Sequence, residues 1–213
     1  MSPDAAQLRA ASRDWPSLTV QGEAAAVLEL MLRGALGATP RFMTRAEAEA
    51  AGDAALVLPA AASCRTGERV ALRDREGLML AALLVEENWQ LAGRGYVAGP
   101  VTGVQLPPHY SFGALRHSAD ELRGNFDAAF LADEPIHRAT FEALMATGHR
   151  VLVIGALPPD ADPGDTYPTV RCWLHAVEAS GGRLGLSLWP LPAPESPHGH
   201  FLADAIARGA GCR

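Results

Sequence analysis

The sequence predicts a mixed α/β protein in two parts, an α+β region followed by a small parallel α/β region. Three observations carry this. Up to about residue 117, helix-forming stretches come first and short apolar runs cluster after them; from residue 118, apolar runs and helix-like stretches alternate. Residues 150–157 (RVLVIGAL) form a continuous apolar run, as expected of a strand buried on both faces. Thr44 with Glu47, and Ser118 with Glu121, have the spacing of capping boxes and mark two helix starts.

In chain order, residues 2–16 read as a loosely ordered, alanine-rich lead-in. Residues 23–33 (EAAAVLELMLR) are strong helix formers stopped by Gly34. A short helix follows Thr44 and closes at Gly52. Residues 69–73 and 78–86 are apolar runs flanking Asp74-Arg-Glu-Gly77, a hairpin signal. Residues 96–105 carry two glycines and a proline, which predicts an irregular or edge strand. In the second region the expected order is a helix from Ser118 to about Asp127, a strand over 128–132, a helix over 136–147 opening near Pro135, a strand over 150–157, a helix over 168–179, a strand over 184–189 and a helix over 200–208. Such parallel βαβ units bind ligands beyond the carboxyl ends of their strands. Here those places are residues 133–137, 156–165 and 190–200.

Charge and composition exclude several classes. The net charge is -6 with no Lys/Arg run, which argues against nucleic acid as a partner. Cys64, Cys172 and Cys212 are odd in number and form no C-x-x-C pair, as expected of reduced thiols. The N-terminus lacks the apolar core of a signal peptide. The longest apolar run, 78–85, is far below the roughly 20 residues that span a bilayer. The expectation is a soluble cytoplasmic protein with no membrane partner. His198 and His200 have no third ligand at a telling spacing, and the prolines around Asp160, Asp162 and Asp165 argue against a calcium loop, so no metal site is expected.

Several segments, taken in order, resemble the ATP sulfurylase (sulfate adenylyltransferase) family. They are Leu28-Glu-Leu-Met-Leu-Arg-Gly34 with Phe42-Met43, then Val70-Ala-Leu-Arg-Asp74 with Gly77, Gly99-Pro100-Val101, and Pro107-Pro108-His109-Tyr110. After these come Glu121-Leu-Arg123 with Phe126, Glu134-Pro-Ile-His137-Arg-Ala-Thr140, Gly164-Asp165 with Arg171, and Ala205-Ile-Ala-Arg208 with Gly211-Cys212. The resemblance implies a PUA-like α+β domain over 1–117 and a truncated Rossmann-like adenylyltransferase domain over 118–213. It also implies that the site positions are His137 as the catalytic residue and Arg138, Thr140, Asp165, Asp133 and Glu134 as nucleotide or anion contacts.

The chain departs from that family's pattern where its chemistry lies. Leu131-Ala-Asp-Glu134 replaces Q-x-R-N, so Asp133 stands where an arginine would hold sulfate. Reversing that sign costs roughly several kcal/mol at contact distance for an effective dielectric near 20, and a planar bidentate donor is lost with it. Thr140 replaces the second histidine of H-x-x-H, and no G-R-D-H-A-G segment occurs. These departures predict a degenerate sulfate adenylyltransferase-like protein serving as a scaffold, subunit or ligand sensor. The alternative is an active adenylyltransferase, acting on sulfate or another acceptor and completed by a partner chain. The implied cofactor is ATP with Mg²⁺, and a homo-oligomer or partner chain is expected to cover the truncated sheet edge.

Overall fold

The computed structural model describes residues 3–37, 39–60, 64–109, 111–159 and 161–212. Tyr110, Asp160 and Arg213 lie outside the described residues. The chain forms two compact units. Unit 1 comprises Met1–Leu32 and Gly37–Pro108; unit 2 comprises Arg33–Leu36 and His109–Arg213.

Unit 1 contains helices α1 (Pro3–Ala11), α2 (Gly22–Leu32) and α3 (Arg45–Ala51) and strands β1 (Ser17–Thr19), β2 (Arg41–Phe42), β3 (Leu58–Pro59), β4 (Arg69–Arg73), β5 (Met79–Leu84), β6 (Glu87–Leu91) and β7 (Arg94–Gly103). The strands run β1-β4-β5-β7-β2, with β3 and β6 also paired to β7. Only the β1–β4 pairing is parallel. The β4–β5 hairpin forms as expected. Its turn is held by the Asp74 carboxylate, which accepts from the backbone N–H groups of Glu76 (3.0 Å) and Leu78 (2.8 Å). Apart from Glu23 and Glu29, helix α2 is apolar, and it is buried accordingly, with Ala26, Val27, Leu28, Leu30 and Met31 at 3% exposure or less.

Two expectations for this unit change. The lead-in is helical: Ala5 and Leu8, one helical step apart, pack against Ala71, Met79 and Ala82, and small residues on the sheet let the helix approach. The expected edge strand is instead the hub of the sheet, since β7 pairs with four others. Its glycines explain why. A Cβ on Gly99 would stand 1.9 Å from the Leu84 carbonyl oxygen, and one on Gly95 would stand 2.5 Å from the Ala60 carbonyl oxygen. Neighbouring backbone approaches so closely that side chains are excluded, and glycine there permits pairing rather than ending it. Strand β6, which the sequence reading passed over, pairs with the near end of β7 as a hairpin, and Trp89 stacks on Tyr96 across it at 4.5 Å.

Unit 2 is a three-stranded parallel sheet of β8 (Ala128–Ala132), β9 (Val151–Leu157) and β10 (Leu184–Pro190), in the order β10-β9-β8. It is preceded by a 3-10 turn at Gly113–Leu115 and by α4 (Ala119–Leu122). Its strands are linked by α5 (Arg138–Ala146) and α6 (Pro163–Ala179) and followed by α7 (Pro197–Gly209). All seven residues of β9 are buried, as its uninterrupted apolar run predicts. Val151 and Val153 join the cluster around Trp173, while Leu152 and Ile154 face the other way, following the period of two along a strand. Helix α6 starts at Pro163, five residues earlier than expected. Asp162 caps it by accepting from Gly164 N–H at 2.6 Å, and proline is well placed at the first helical position. Likewise α7 starts at Pro197 behind its cap Ser196, whereas α4 stops at Leu122, short of Asp127.

The three cysteines are free. Among the described residues, no helix is long and apolar enough to cross a membrane.

Three carboxylates are held below their ordinary pKa by donors that exist only in the fold. Glu47 accepts from the Thr44 N–H and hydroxyl, and Glu121 from the Ser118 N–H and hydroxyl. Asp127 accepts from the Arg150 N–H (2.9 Å) and guanidinium. A depressed folded pKa favours the ionised, folded form. Its stabilisation is complete above the unfolded carboxylate value of about 4 and is lost as pH falls through the lower folded values. Urea midpoints are therefore expected to fall as pH drops below about 4. A Thr44→Ala/Ser118→Ala double variant is expected to show a flatter acid limb, and a limb of unchanged steepness would contradict this source.

Candidate functional site

The carboxyl ends of β8, β9 and β10 lie at one end of the parallel sheet. Ala132 is level with Gly155, and Trp189 and Pro190 are level with Ala156 and Leu157. The segments 133–137, 158–162 and 191–196 leave from that end, and each leads into the N-terminus of a helix. Helix N-termini carry unpaired N–H groups and the positive end of the macrodipole.

The three N-termini differ in how they are satisfied. Asp162 caps α6 with its own carboxylate. Ser196 caps α7, its hydroxyl accepting from Gly199 N–H at 3.0 Å and donating to the Ala193 carbonyl at 2.7 Å. The cap of α5 is His137, in extended conformation (φ -74°, ψ 158°), and its side chain makes no capping bond. The start of α5 therefore keeps its first N–H groups for an incoming group.

The segment before α5 is held from below. The Trp173 indole N–H donates to the Glu134 carbonyl at 2.8 Å. Trp173 lies fully buried on α6, and Gly155 makes room for it: a Cβ there would stand 2.8 Å from the indole ring and 2.7 Å from Leu188. The apolar face of α6, the missing side chain on β9 and the turn after β8 form one mechanical unit.

Of the residues expected at the site, Asp133, Glu134 and His137 are exposed, on the turn or at the cap. Thr140 is half-buried in the first turn of α5. Arg138 points into solvent, 91% exposed, and pairs with Glu142 at 2.7 Å. Asp165 is exposed in the first turn of α6, on the neighbouring segment. Asp133, Glu134, His137 and Thr140 thus share one turn and helix start, and Asp165 belongs to the next. Among the described residues, no group of three or more His, Cys, Asp or Glu is placed to hold a metal ion.

Sequence reasoning missed Arg33. It is 2% exposed, and its guanidinium donates to the Leu188 carbonyl at 2.8 Å and to the His117 carbonyl at 2.9 Å. It also lies 3.5 Å from the centre of the Trp189 ring. It braces β10 just before the strand gives way to the 191–196 segment. The signal was present, a lone arginine closing a run of apolar helix formers, but that position is also where a helix takes a solvated cation.

No family model matches the chain. Among curated proteins, the sulfate adenylyltransferase of Kluyveromyces lactis is 30% identical over 122 residues, covering 50% of this chain and 24% of that protein. That of Saccharomyces cerevisiae is 30% identical over 135 residues, covering 56% and 26%. That of Chaetomium globosum is 26% identical, covering 77% and 38%. Among solved structures, the hexameric APS kinase from Thiobacillus denitrificans matches 99% of this chain and 49% of its own, with TM-score 0.86 and 29% identity. The chain spans about half the length of that structure and a quarter to two fifths of the curated proteins.

These findings correct the resemblance drawn from short motifs. The match over the whole chain is to an APS kinase, and the sulfate adenylyltransferases align weakly and in part. The expected PUA-like domain followed by a truncated Rossmann-like nucleotidyltransferase domain is withdrawn, and so is the degenerate or partner-completed adenylyltransferase. The reason is physical. Capping boxes, an Asp-x-x-Gly hairpin and glycine stops encode local geometry that many α/β chains share, so their order reports turns and caps more than ancestry. A superposition of the whole chain weighs how those elements are arranged. The relationship to sulfate-activating enzymes stands on both sets of matches.

Proposed function

We propose that the chain is a nucleotide-binding protein of sulfate activation, related to APS kinase, that takes adenylyl sulfate at the carboxyl end of its parallel sheet. The observation that carries this reading is the match of the whole chain to the hexameric APS kinase. The partial matches add to it. A sulfate adenylyltransferase makes adenylyl sulfate and an APS kinase consumes it, so this nucleotide is the small molecule the two activities share.

The geometry supports an anion at the start of α5, where the N–H groups behind His137 are not taken by a capping side chain. Asp133 and Glu134 would repel a bare anion. They suit one that arrives with Mg²⁺, which is commonly held by one or two carboxylates together with the phosphates of its nucleotide. In this assignment His137 and the α5 start take the phosphosulfate, Asp133 and Glu134 face the metal, Thr140 donates its hydroxyl, and Arg138 and Asp165 stand at the rim. ATP with Mg²⁺ is the second nucleotide to be tested. Every one of the 18 basic residues is arginine, so the lysine of a G-x-x-x-x-G-K-[ST] phosphate loop has no counterpart in this sequence. The proposal is accordingly one of binding, and an oligomeric state is part of it because the matched kinase is hexameric.

Isothermal titration of the full chain with adenylyl sulfate, ADP and ATP, with and without Mg²⁺, tests the reading. Adenylyl sulfate is expected to bind in the micromolar range and more tightly with Mg²⁺. His137→Ala is expected to weaken binding by about tenfold to a hundredfold, the scale of one hydrogen bond to a charged group. Asp133→Asn is expected to remove most of the Mg²⁺ dependence. The absence of adenylyl sulfate binding at about 1 mM, a free energy near -4 kcal/mol, would overturn it.

A further inference from the structure

Helix α1 covers only part of the sheet face on which it lies. Its Ala5 and Leu8 sit on Ala71, Met79 and Ala82. The strand register extends that face, since Ala71 is opposite Ala82, Ala82 is opposite Thr102, and Arg69 is opposite Leu84. Side chains two apart along a strand point the same way. Arg69, Leu84, Pro100 and Thr102 therefore stand on the face that the helix occupies. Between them and Gln7 and Ala11 of α1 lies a cavity of about 430 Å³. That is within the usual size of small-molecule sites, roughly 300–1,000 Å³. Its described lining belongs to unit 1 alone.

Two features of the lining select a ligand. The first is an apolar floor. Leu84 is 40% exposed, although the other five residues of β5 are buried. An apolar body laid on Leu84 and Pro100 removes that surface from water. The second is charge. Arg69 is the one ionisable residue among the described residues that line the cavity. Its guanidinium lies 5.8 Å from the centre of the Trp15 ring and makes no ion pair or hydrogen bond among the described residues. By contrast, Arg41 pairs with Glu86 and Arg45 with Glu49. An indole face attracts a guanidinium without using its N–H groups. Those groups form a fork that matches the two oxygens of a carboxylate. Gln7 and Thr102 add uncharged donors beside it. We propose that this cavity binds a small aliphatic carboxylate, its head on Arg69 and its chain against Leu84 and Pro100. The site lies in unit 1 and is independent of the nucleotide reading.

The test titrates the full chain with octanoate, octylamine and acetate while backbone amide NMR shifts are followed. Octanoate shares its chain with octylamine and its head with acetate, so the three probes separate the two features. Octanoate is expected to bind with a Kd below about 1 mM, and to move the amides of residues 82–84 and 100–102 while leaving 151–157 in place. Octylamine and acetate are each expected to bind at least about tenfold more weakly. Arg69→Gln is expected to weaken octanoate about tenfold, a modest loss because Arg69 is exposed to solvent. It is also expected to remove the preference over octylamine. Ala11→Leu, at an exposed position at the end of α1, is expected to fill the cavity and weaken octanoate while the urea midpoint stays unchanged. Absence of octanoate binding at about 1 mM, equal binding of octanoate and octylamine, undiminished binding by the Arg69→Gln variant, or shifts confined to other segments would each overturn the proposal.

Discussion

Replacing Gly99 by alanine is expected to be among the most damaging single substitutions in unit 1. The new Cβ would stand 1.9 Å from the Leu84 carbonyl oxygen and 3.1 Å from the Glu86 nitrogen, both backbone atoms that no rotamer change can move. The residue also sits at φ +146°, a conformation that side-chain-bearing residues rarely adopt. Overpacking and backbone strain together suggest a loss of about 3–5 kcal/mol. That is a large fraction of the roughly 5–15 kcal/mol that holds a domain folded. Gly67→Ala provides the control. It also has positive φ (+84°), but nothing lies within 4 Å of its Cβ position, so it carries the backbone cost alone, about 1–2 kcal/mol. Chemical denaturation of both variants separates the two contributions. Equal losses would mean that the close approach of β5 and β7 is unimportant.

Replacing Arg33 by methionine is expected to cost unit 2 about 3–5 kcal/mol, because two buried carbonyls lose a charged donor at about 1–3 kcal/mol each. The Trp189 ring also loses the guanidinium stacked on it. Methionine fills much of the volume, so the loss reads hydrogen bonding and stacking more than a cavity. Arg33→Lys is expected to recover less than half of it. A single ammonium cannot reproduce a planar fork that donates to Leu188 and His117 while stacking on an indole. Denaturation followed by tryptophan emission should show this directly, since Trp173 and Trp189 both lie fully buried in this unit. A methionine variant within about 1 kcal/mol of the parent would fall in the range of ordinary surface substitutions and would remove Arg33 from its bracing role.

How legible these features were depended on range. Local chemistry read correctly: Thr44 and Ser118 cap where their spacing with Glu47 and Glu121 says they should. The β9 run is buried on both faces as its composition implies. What failed was non-local. The glycines of β7 look like interruptions in a sequence, because the reason for them, the backbone of Leu84 and Ala60, lies elsewhere along the chain. Arg33 looks like a solvated helix terminus, because its acceptors are 84 and 155 residues away. The start of α6 lies five residues before Pro168, because Asp162 and Pro163 form the cap and Pro168 sits inside the helix, where a proline in sequence reads as a helix start. At the site, the turn after β8 and His137 at the start of α5 could be read from Pro135 and the following helix pattern. The Trp173 bond to Glu134 could not, since an indole in an apolar helix announces only burial. The family suggested by short motifs failed for a related reason, as those motifs are themselves local.

The four residues Arg33–Leu36 belong to unit 2, although the chain enters and leaves them through unit 1. The units are therefore interleaved along the polypeptide, and no single cut yields both intact. A C-terminal fragment beginning at His109 would begin life without its internal cation, and its β10 strand would expose the carbonyl that Arg33 normally holds. During synthesis, residues 33–36 leave the ribosome long before the strand they brace. That strand can reach its final state only by capturing a segment made some 150 residues earlier.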